Sequence, residues 1–156
     1  MQMNHALLLA LGIGFVAGLR SLVTPAVVSW AAHLAWLPLR GTPLAFMASP
    51  IAVGVWSVLA VLELIADVAP KTPPRTAPAS LGVRVITGGL CGACVASAGG
   101  AALWIGVVLG IVGAMIGAYA GLYARRSLGS SLKVKDIFIA LPEDLVAIGL
   151  ACLMVR

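Results

Sequence analysis

Long stretches without charge are the feature that most constrains this chain. The longest covers residues 85–124, forty residues without Asp, Glu, Lys or Arg, and residues 1–19, 21–39 and 41–62 also carry no such side chain. A bilayer core of about 30 Å requires about 20 helical residues, each contributing about 1.5 Å. The longest stretch can therefore hold two membrane spans, and Gly99-Gly100 in its middle predicts the turn between them.

The composition excludes a soluble globular enzyme and a disordered tail. Hydrophobic residues make up 62% of the 156 residues and charged residues only 10%, whereas an average soluble domain has about 25% charged residues. So few charged side chains cannot cover the surface of a soluble protein, because large exposed apolar patches drive association. The apolar stretches are continuous and do not alternate with a period of two, so they predict membrane helices and not barrel strands.

The pattern predicts an all-α polytopic membrane bundle with four to six membrane elements. We expect the first element, from about Ala6, to be broken near Gly18–Pro25, with Arg20 at the break. Thr24-Pro25 is a typical N-cap and first helical residue, and Ser49-Pro50 repeats that signal. The expected helices then cover about 24–36, 50–68, 81–98, 101–124 and 137–155.

Two basic segments predict the orientation. A connector with four prolines in nine residues, 70–78, and a polar loop, 125–136, together with Arg84 contain seven of the ten basic residues. The positive-inside rule therefore places loops 69–84 and 125–136 in the cytoplasm. The N-terminus is cytoplasmic if the first element crosses once and external if it is a full hairpin. No secretory signal peptide is expected, because Met1–His5 lacks Lys and Arg.

Ionisable residues in or beside the apolar stretches are the candidates for a functional site. An ionised side chain at bilayer depth costs about 2.5 to 3.5 kcal/mol, so such residues usually pair or line a cavity. The candidates for substrate or ion binding, or for gating, are Arg20, Glu63, Asp67, Arg84, Glu143 and Asp144. For each of them, the alternative is a structural role, either in an ion pair that locks the bundle or at the membrane interface.

Other polar and small residues favour structural roles more strongly. Lys71 and Arg75 could contact a lipid headgroup or phosphate, although basic residues beside prolines more often anchor the topology. The two thiols Cys91 and Cys94 share one helix face without a second ligand pair, so no metal site is predicted. His33 lies near two tryptophans, which is typical of an interfacial aromatic belt.

Glycines recur at helical spacing in the last part of the longest charge-free stretch. They are Gly106, Gly110, Gly113, Gly117 and Gly121. Small residues at spacings of three and four let helices approach closely. This ridge predicts close packing, either within the protomer or across a homodimer.

A weak internal repeat is suggested by two short motifs. Gly18-Leu-Arg-Ser-Leu-Val-Thr24 is similar to Gly82-Val-Arg-Val-Ile-Thr87. We expect a single membrane domain over residues 1–156, with halves 1–72 and 79–156 if the repeat is real.

The chain resembles a family of small bacterial inner-membrane proteins described as a domain of unknown function (DUF4126). The segments that carry the resemblance are Gly18–Pro25, Glu63-Leu-Ile-Ala-Asp67, Pro70-Lys-Thr-Pro-Pro-Arg-Thr-Ala-Pro78 and Glu143–Gly149. The resemblance covers nearly the whole chain and implies a bacterial inner-membrane protein with a single membrane domain. It implies no activity and no catalytic residues.

The residues predict a small transporter or channel and not an enzyme. Its substrate is unknown and could be anionic, and the charged candidates would bind, gate or couple protons. We expect the lipid bilayer and a second copy of the chain as partners, with no cofactor, metal or nucleic acid. Two alternatives stay open: a non-transporting scaffold or assembly subunit, and a lipid-headgroup-binding protein or flippase.

Overall fold

The computed structural model describes residues 3–68, 78–132 and 148–155. Within these ranges the chain is helical and has no strand, which confirms the all-α fold class. The elements are α1 (Met3–Leu19), α2 (Val23–His33), a 3₁₀ helix (Ala45–Ala48), α3 (Pro50–Val68), α4 (Pro78–Ala98) and α5 (Leu103–Leu132). Residues 148–155 are also helical.

Among the described residues, two segments are long and apolar enough to cross a membrane, Pro78–Ala98 and Leu103–Ala124. Shorter apolar helices cover Asn4–Leu19 and Pro50–Ala66. The two long helices point to a membrane protein, and the number of four to six membrane elements stays a prediction.

Helices α1, α4 and α5 pack together at backbone distance, and their glycines make this approach possible. A Cβ atom built on Gly92 would lie closer than 3.0 Å to the carbonyl oxygen of Gly106. A Cβ atom on Gly110 would meet the carbonyl of Gly88 in the same way, and one on Gly14 would meet that of Gly110. The predicted close packing of the glycine ridge is therefore confirmed, and the ridge contacts α1 and α4 of the same chain.

A glycine turn joins α4 to α5, as the sequence predicts. Gly100 has a φ of +74°, the left-handed conformation that glycine adopts without steric cost. The Ala101 amide donates to the Ala96 carbonyl at 2.9 Å, and the Gly100 amide donates to Ser97 at 3.1 Å. This bond pair is a Schellman motif, which satisfies the last carbonyls of α4.

The same motif ends α2, with an alanine in the place of the glycine. Ala35 has a φ of +60°. The amide of Trp36 donates to Ala31 at 2.9 Å, and that of Ala35 donates to Ala32 at 3.2 Å. Helix α2 therefore ends at His33, three residues before the predicted end at about Trp36.

Side-chain hydrogen bonds hold α2, the 3₁₀ helix and α3 together. Ser29 Oγ donates to the Met47 carbonyl at 2.5 Å, and Trp30 Nε1 donates to Ser57 Oγ at 3.0 Å. His33 Nδ1 donates to the Ala48 carbonyl at 2.9 Å. These bonds make α2 and α3 one packed pair around the short 3₁₀ helix.

The structure confirms the predicted start of α3 and its N-cap, Ser49. Ser49 Oγ accepts a hydrogen bond from the Ala52 amide at 3.1 Å, and Pro50 is the first helical residue. Serine satisfies an amide of the first turn, and proline has no amide to satisfy.

Two predicted loop boundaries are wrong. Helix α5 continues through residues 125–132, where the sequence predicts a polar loop. Polar residues end the apolar segment that can lie in a membrane. They do not end the helix, because the run contains no proline. Helix α4 begins at Pro78 and not near residue 81, since proline fits the first helical position. Arg84, at the end of the segment 69–84 that is expected in the cytoplasm, lies six residues after the start of α4.

Apolar side chains cover the outer faces of α3 and α5. On α3, Ile51 is 79% exposed and Val58 61% exposed. On α5, Trp104 and Tyr123 are each 67% exposed. The exposed apolar residues between these two are Val108, Val112, Met115, Ile116 and Tyr119. Such continuous apolar faces mark contact with a membrane or another apolar partner.

Candidate functional site

The break in the first membrane element lies between α1 and α2, as predicted. Helix α1 ends at Leu19 and α2 begins at Val23. A break of this kind leaves the last carbonyls of one helix and the first amides of the next without helical partners. The groups that satisfy them define the site.

The carboxylate of Glu63, on α3, caps the N-terminus of α2. Its Oε1 accepts hydrogen bonds from the Ser21 amide at 2.8 Å and from Ser21 Oγ at 2.5 Å. Its Oε2 accepts from the amides of Leu22 at 2.8 Å and Val23 at 3.2 Å. An anion at a helix N-terminus is stabilised both by these donors and by the helix dipole.

The prediction that Thr24 is the N-cap of α2 is wrong. The residue at the cap position is Leu22, which makes no side-chain capping bond. Thr24 Oγ1 donates back to the Arg20 carbonyl at 2.9 Å, which is a common alternative for a threonine hydroxyl inside a helix. The cap comes from Glu63, more than 40 residues away, so no local signal could have revealed it.

The guanidinium of Arg84, on α4, closes the other side of the break. Its Nη1 donates to the carbonyls of Gly18 at 2.6 Å and Leu19 at 2.9 Å, and its Nε donates to Ser80 Oγ at 3.4 Å. The side chain is buried, with 6% of its surface exposed. A cation at a helix C-terminus complements the negative end of the dipole.

Arg20 lies in the break itself and is the largest fully buried side chain among the described residues. Only 1% of its surface is exposed. The structure thus brings three of the six predicted ionisable residues to one place, and the described side chains there are two cations and one anion. Arg20 lies in the break by sequence, whereas Glu63 and Arg84 bind its backbone from α3 and α4.

One known protein family matches the chain over a range that contains these residues. The family model for Domain of unknown function (DUF4126) matches residues 7–156. The chain belongs to the DUF4126 family. The matched range contains the break, Glu63 and Arg84, and it confirms the resemblance. No curated protein and no solved structure matches the chain.

Five other predicted site residues of this DUF4126 chain lie on α3 beyond Glu63 or outside the described residues. Asp67 lies on α3 one turn beyond Glu63. Lys71, Arg75, Glu143 and Asp144 lie outside the described residues. Their predicted roles stay predictions.

The two Gly-x-Arg motifs of the suggested repeat have different local structures. Gly18 and Arg20 stand at the end of a helix, whereas Gly82 and Arg84 lie inside the continuous helix α4. The motifs meet in space, since Arg84 binds the carbonyl of Gly18. The suggested repeat stays a prediction.

Two thiols lie in α4, and an aromatic pair lies in α2. Cys91 and Cys94 are fully buried in α4. In the part of the chain that the structure describes, no three His, Cys, Asp or Glu residues come together as metal ligands. Trp30 and His33 stack edge to face with ring centroids 6.3 Å apart.

An apolar cleft of about 210 Å³ lies apart from the break. Its lining comes from α2, the chain after it and the helical residues 148–155. The lining residues are Val27, Trp30, Ala31, Leu34, Trp36, Cys152 and Val155. It has no charged lining residue among these, so it does not belong to the site at the break.

Proposed function

We propose that this DUF4126 protein is a small membrane transporter or channel whose binding or gating site is the break between α1 and α2. The observation that carries the proposal is the Glu63 carboxylate, bound by three backbone amides beside buried Arg20 and Arg84. Charged groups inside a membrane are costly, and their usual use is in the path of an ion or solute.

The dimensions of the helices support a place for this site within the bilayer. Helix α4 has 21 residues and is about 31 Å long, and Arg84 lies about 9 Å from its first residue. On α5, Trp104 and Tyr123 are separated by about 28 Å, close to the thickness of a bilayer core of about 30 Å. Aromatic residues at this separation are typical of the two membrane interfaces.

The chemistry of the site favours a small anion as the substrate. Glu63 occupies the position at the α2 N-terminus where an anion is stabilised by amides and by the helix dipole. A mobile anion could replace this carboxylate if the Glu63 side chain moves aside. Glu63 then acts as a gate for that anion.

Flux through proteoliposomes tests the proposal. Vesicles containing the protein are loaded in turn with chloride, nitrate, phosphate and acetate, and efflux is compared with empty vesicles. We expect efflux of at least one of these anions, a change of more than tenfold for Glu63→Gln, and a loss for Arg20→Gln. Arg40→Gln is the matched control, because Arg40 is exposed and lies outside the break.

The proposal fails if the wild-type protein moves none of these anions. It also fails if Glu63→Gln and Arg20→Gln both leave the efflux of a transported anion unchanged.

A non-transporting scaffold is the second candidate, and one observation favours it. Glu63 and Arg84 each cap a helix end, so both have a sufficient structural role. A scaffold predicts that Glu63→Gln lowers the stability in detergent while vesicles show no protein-dependent flux. The same two measurements therefore separate the candidates.

We also propose a multi-pass topology in the bacterial inner membrane and a homodimer. Because the glycine ridge contacts α1 and α4 of its own chain, a dimer would use another surface. Native mass spectrometry of the detergent-solubilised protein gives the number of copies, and a purely monomeric protein would contradict the dimer.

A further inference from the structure

The apolar cleft beside α2 is a groove between two helical segments. One side of α2 and its C-cap contributes residues at spacings of three, four and three, which are Val27, Trp30, Ala31 and Leu34. The helical residues 148–155 contribute Cys152 and Val155, which are also three apart. Trp36, in the chain after α2, completes the lining.

The groove has a buried floor and exposed walls. Ala31 and Val155 are only 2% and 3% exposed, so they form the floor. Trp30, Leu34 and Trp36 are 48%, 49% and 52% exposed, so they form the walls. Large exposed apolar side chains around one concave surface are typical of a binding site for an apolar partner.

Hydrogen bonds hold two of these walls in place. Trp30 Nε1 donates to Ser57 Oγ at 3.0 Å, and the Trp30 ring stacks edge to face with His33. The Trp36 amide donates to the Ala31 carbonyl at 2.9 Å within the Schellman motif, where the two side chains of such a pair often make an apolar contact. The fold of the chain therefore forms the groove, as is usual for the binding sites of small ligands.

The chemistry of the lining selects an apolar ligand. Among the described residues that line the groove, none is charged and none has a hydroxyl or amide side chain. The indole N–H of Trp30 is bound to Ser57, and that of Trp36 forms no hydrogen bond within the described part of the chain. A buried water molecule needs two to four polar partners, so water and hydrophilic solutes would find too few partners here.

The volume of the groove suits a hydrocarbon chain and not a helix. Apolar cavities of about 150 Å³ stay dry and bind small hydrocarbons. The groove has a volume of about 210 Å³. One turn of a helix, about 10 Å across and about 5.4 Å long, fills about 400 Å³. A helix from a second copy of the chain would therefore not fit, whereas an alkyl chain is narrow enough.

We propose that the groove binds one acyl chain of a membrane phospholipid and that Trp36 donates its indole N–H to an oxygen of the same lipid. Tryptophan combines an apolar ring with a polar edge, so it is common where acyl chains meet headgroups. The bound chain would cover Trp30, Leu34 and Trp36 together. This site is separate from the break, does not depend on transport, and holds for a scaffold as well.

Alkylation of Cys152 measures occupation of the groove in the unaltered chain. Cys152 lines the groove and is partly exposed, whereas Cys91 and Cys94 are fully buried. The lipid-depleted protein in detergent is treated with N-ethylmaleimide, with and without phosphatidylglycerol, and peptide mass spectrometry gives the rate at each cysteine. We expect the lipid to slow the alkylation of Cys152 about fivefold or more, because a bound chain covers the thiol. The same rate with and without the lipid would overturn the proposal.

The matched control moves the thiol to the next residue of the same helical segment. It combines Cys152→Ala with Leu153→Cys, because Leu153 is 75% exposed and is not among the lining residues. We expect this thiol to react at the same rate with and without the lipid. Equal protection at positions 152 and 153 would indicate general coverage by lipid and would overturn a specific site.

Quenching of tryptophan fluorescence by a phosphatidylglycerol with brominated acyl chains provides a second measurement. Bromine quenches an indole by contact, and Trp56→Phe with Trp104→Phe leaves the two tryptophans of the groove as the reporters. We expect the quenching to saturate at about one lipid per protein, as for a single preformed site. Quenching that rises with the lipid content without saturation would overturn the proposal. Saturation by a brominated free fatty acid, without saturation by the phospholipid, would also overturn it.

A substitution that fills the groove completes the test. In the background that keeps Trp30 and Trp36, Cys152→Phe should abolish the saturable quenching, whereas Leu153→Phe should keep it because that side chain points away from the groove. Saturable quenching that persists in Cys152→Phe would place the lipid elsewhere and overturn the proposal. None of these measurements depends on flux, so a failed lipid site and a failed transport function are distinguishable.

Discussion

At the break after α1, charged side chains from other helices take the place of local capping residues. Glu63 binds the amides of three consecutive residues, Ser21 to Val23, at the start of α2 through both carboxylate oxygens. Arg84 binds two carbonyls of α1 through one nitrogen. Backbone groups in the interior of a membrane protein have little access to water, so each of these bonds replaces a hydration partner.

Removing the Glu63 carboxylate should destabilise the protein in proportion to the acceptors lost. We expect Glu63→Ala to lower the free energy of unfolding by about 2 to 3 kcal/mol, because several buried amides lose their acceptor. Glu63→Gln keeps one carbonyl oxygen and should cost about 1 to 2 kcal/mol. Unfolding by denaturant in detergent micelles measures both values.

Val58→Ala serves as the control on the same helix, because Val58 is 61% exposed. It should change the stability by less than about 0.5 kcal/mol. Equal effects of Glu63→Ala and Val58→Ala would show that the carboxylate does not hold α2.

The conformation of Ala35 predicts a stabilising substitution. A left-handed φ of +60° disfavours a residue with a Cβ atom, whereas glycine accepts it freely. We expect Ala35→Gly to raise the stability by about 1 kcal/mol, measured as an increase in melting temperature. In contrast, Ala52→Gly inside α3 should lower the stability by about 1 kcal/mol. A decrease for both substitutions would contradict the role of the dihedral angle.

Among the elements, α4 and α5 contact each other through residues without side chains. Gly88 and Gly92 on α4 face Gly106 and Gly110 on α5 at distances that exclude a Cβ atom. The gain is dispersion contact along the backbones of the two helices, which is a main source of helix association in lipid. A methyl group added at one of these glycines would clash with the backbone of the facing helix, so the two helices would have to move apart.

Substitution of two glycines on this pair should have opposite effects. Gly110→Ala places a methyl group against the Gly88 carbonyl and should destabilise the protein by about 3 kcal/mol or more. Gly82→Ala meets no atom within 4 Å and should be neutral or stabilising by up to about 1 kcal/mol, since alanine favours the helix. Thermal unfolding in detergent compares them, and a similar loss for both would contradict the packing argument.

The sequence predicts elements well where the determining residues are local. The break near Arg20, the Ser49 cap, the Gly99-Gly100 turn and the start and end of α3 need only neighbouring residues. The prediction fails where a distant residue decides. Thr24 has the chemistry of an N-cap, but Glu63 occupies that role, and Arg84 binds α1 across 65 and 66 residues of sequence. The sequence therefore predicts which residues form the candidate site, but it does not predict which groups they bind.

For the whole molecule, the outer faces of α3 and α5 determine the environment that the fold requires. Large apolar residues remain exposed over the whole length of α5 from Trp104 to Tyr123. In water these faces would associate, whereas lipid chains cover them at no cost. These apolar faces therefore favour a lipid environment over water.

A charge in the middle of the outer face of α5 tests this environment. We expect Val112→Arg to reduce membrane insertion with a cost of about 2 to 3 kcal/mol, because Val112 lies near the centre between the two aromatic ends. The amount of protein in the membrane fraction and its stability in lipid measure the effect. Val112→Leu is the control and should behave as the wild type. A normal yield and stability for Val112→Arg would mean that this face does not contact lipid.

The glycine contacts also limit where a solute can cross the protein. Between Gly92 and Gly106, or between Gly14 and Gly110, there is no room for a methyl group, and hence none for a water molecule of similar size. At these contacts the backbones of α1, α4 and α5 fill the space between the helices. For the transport that we propose, these contacts leave the break, with Arg20 and Glu63, as the place where charged groups could replace the lost hydration of a solute.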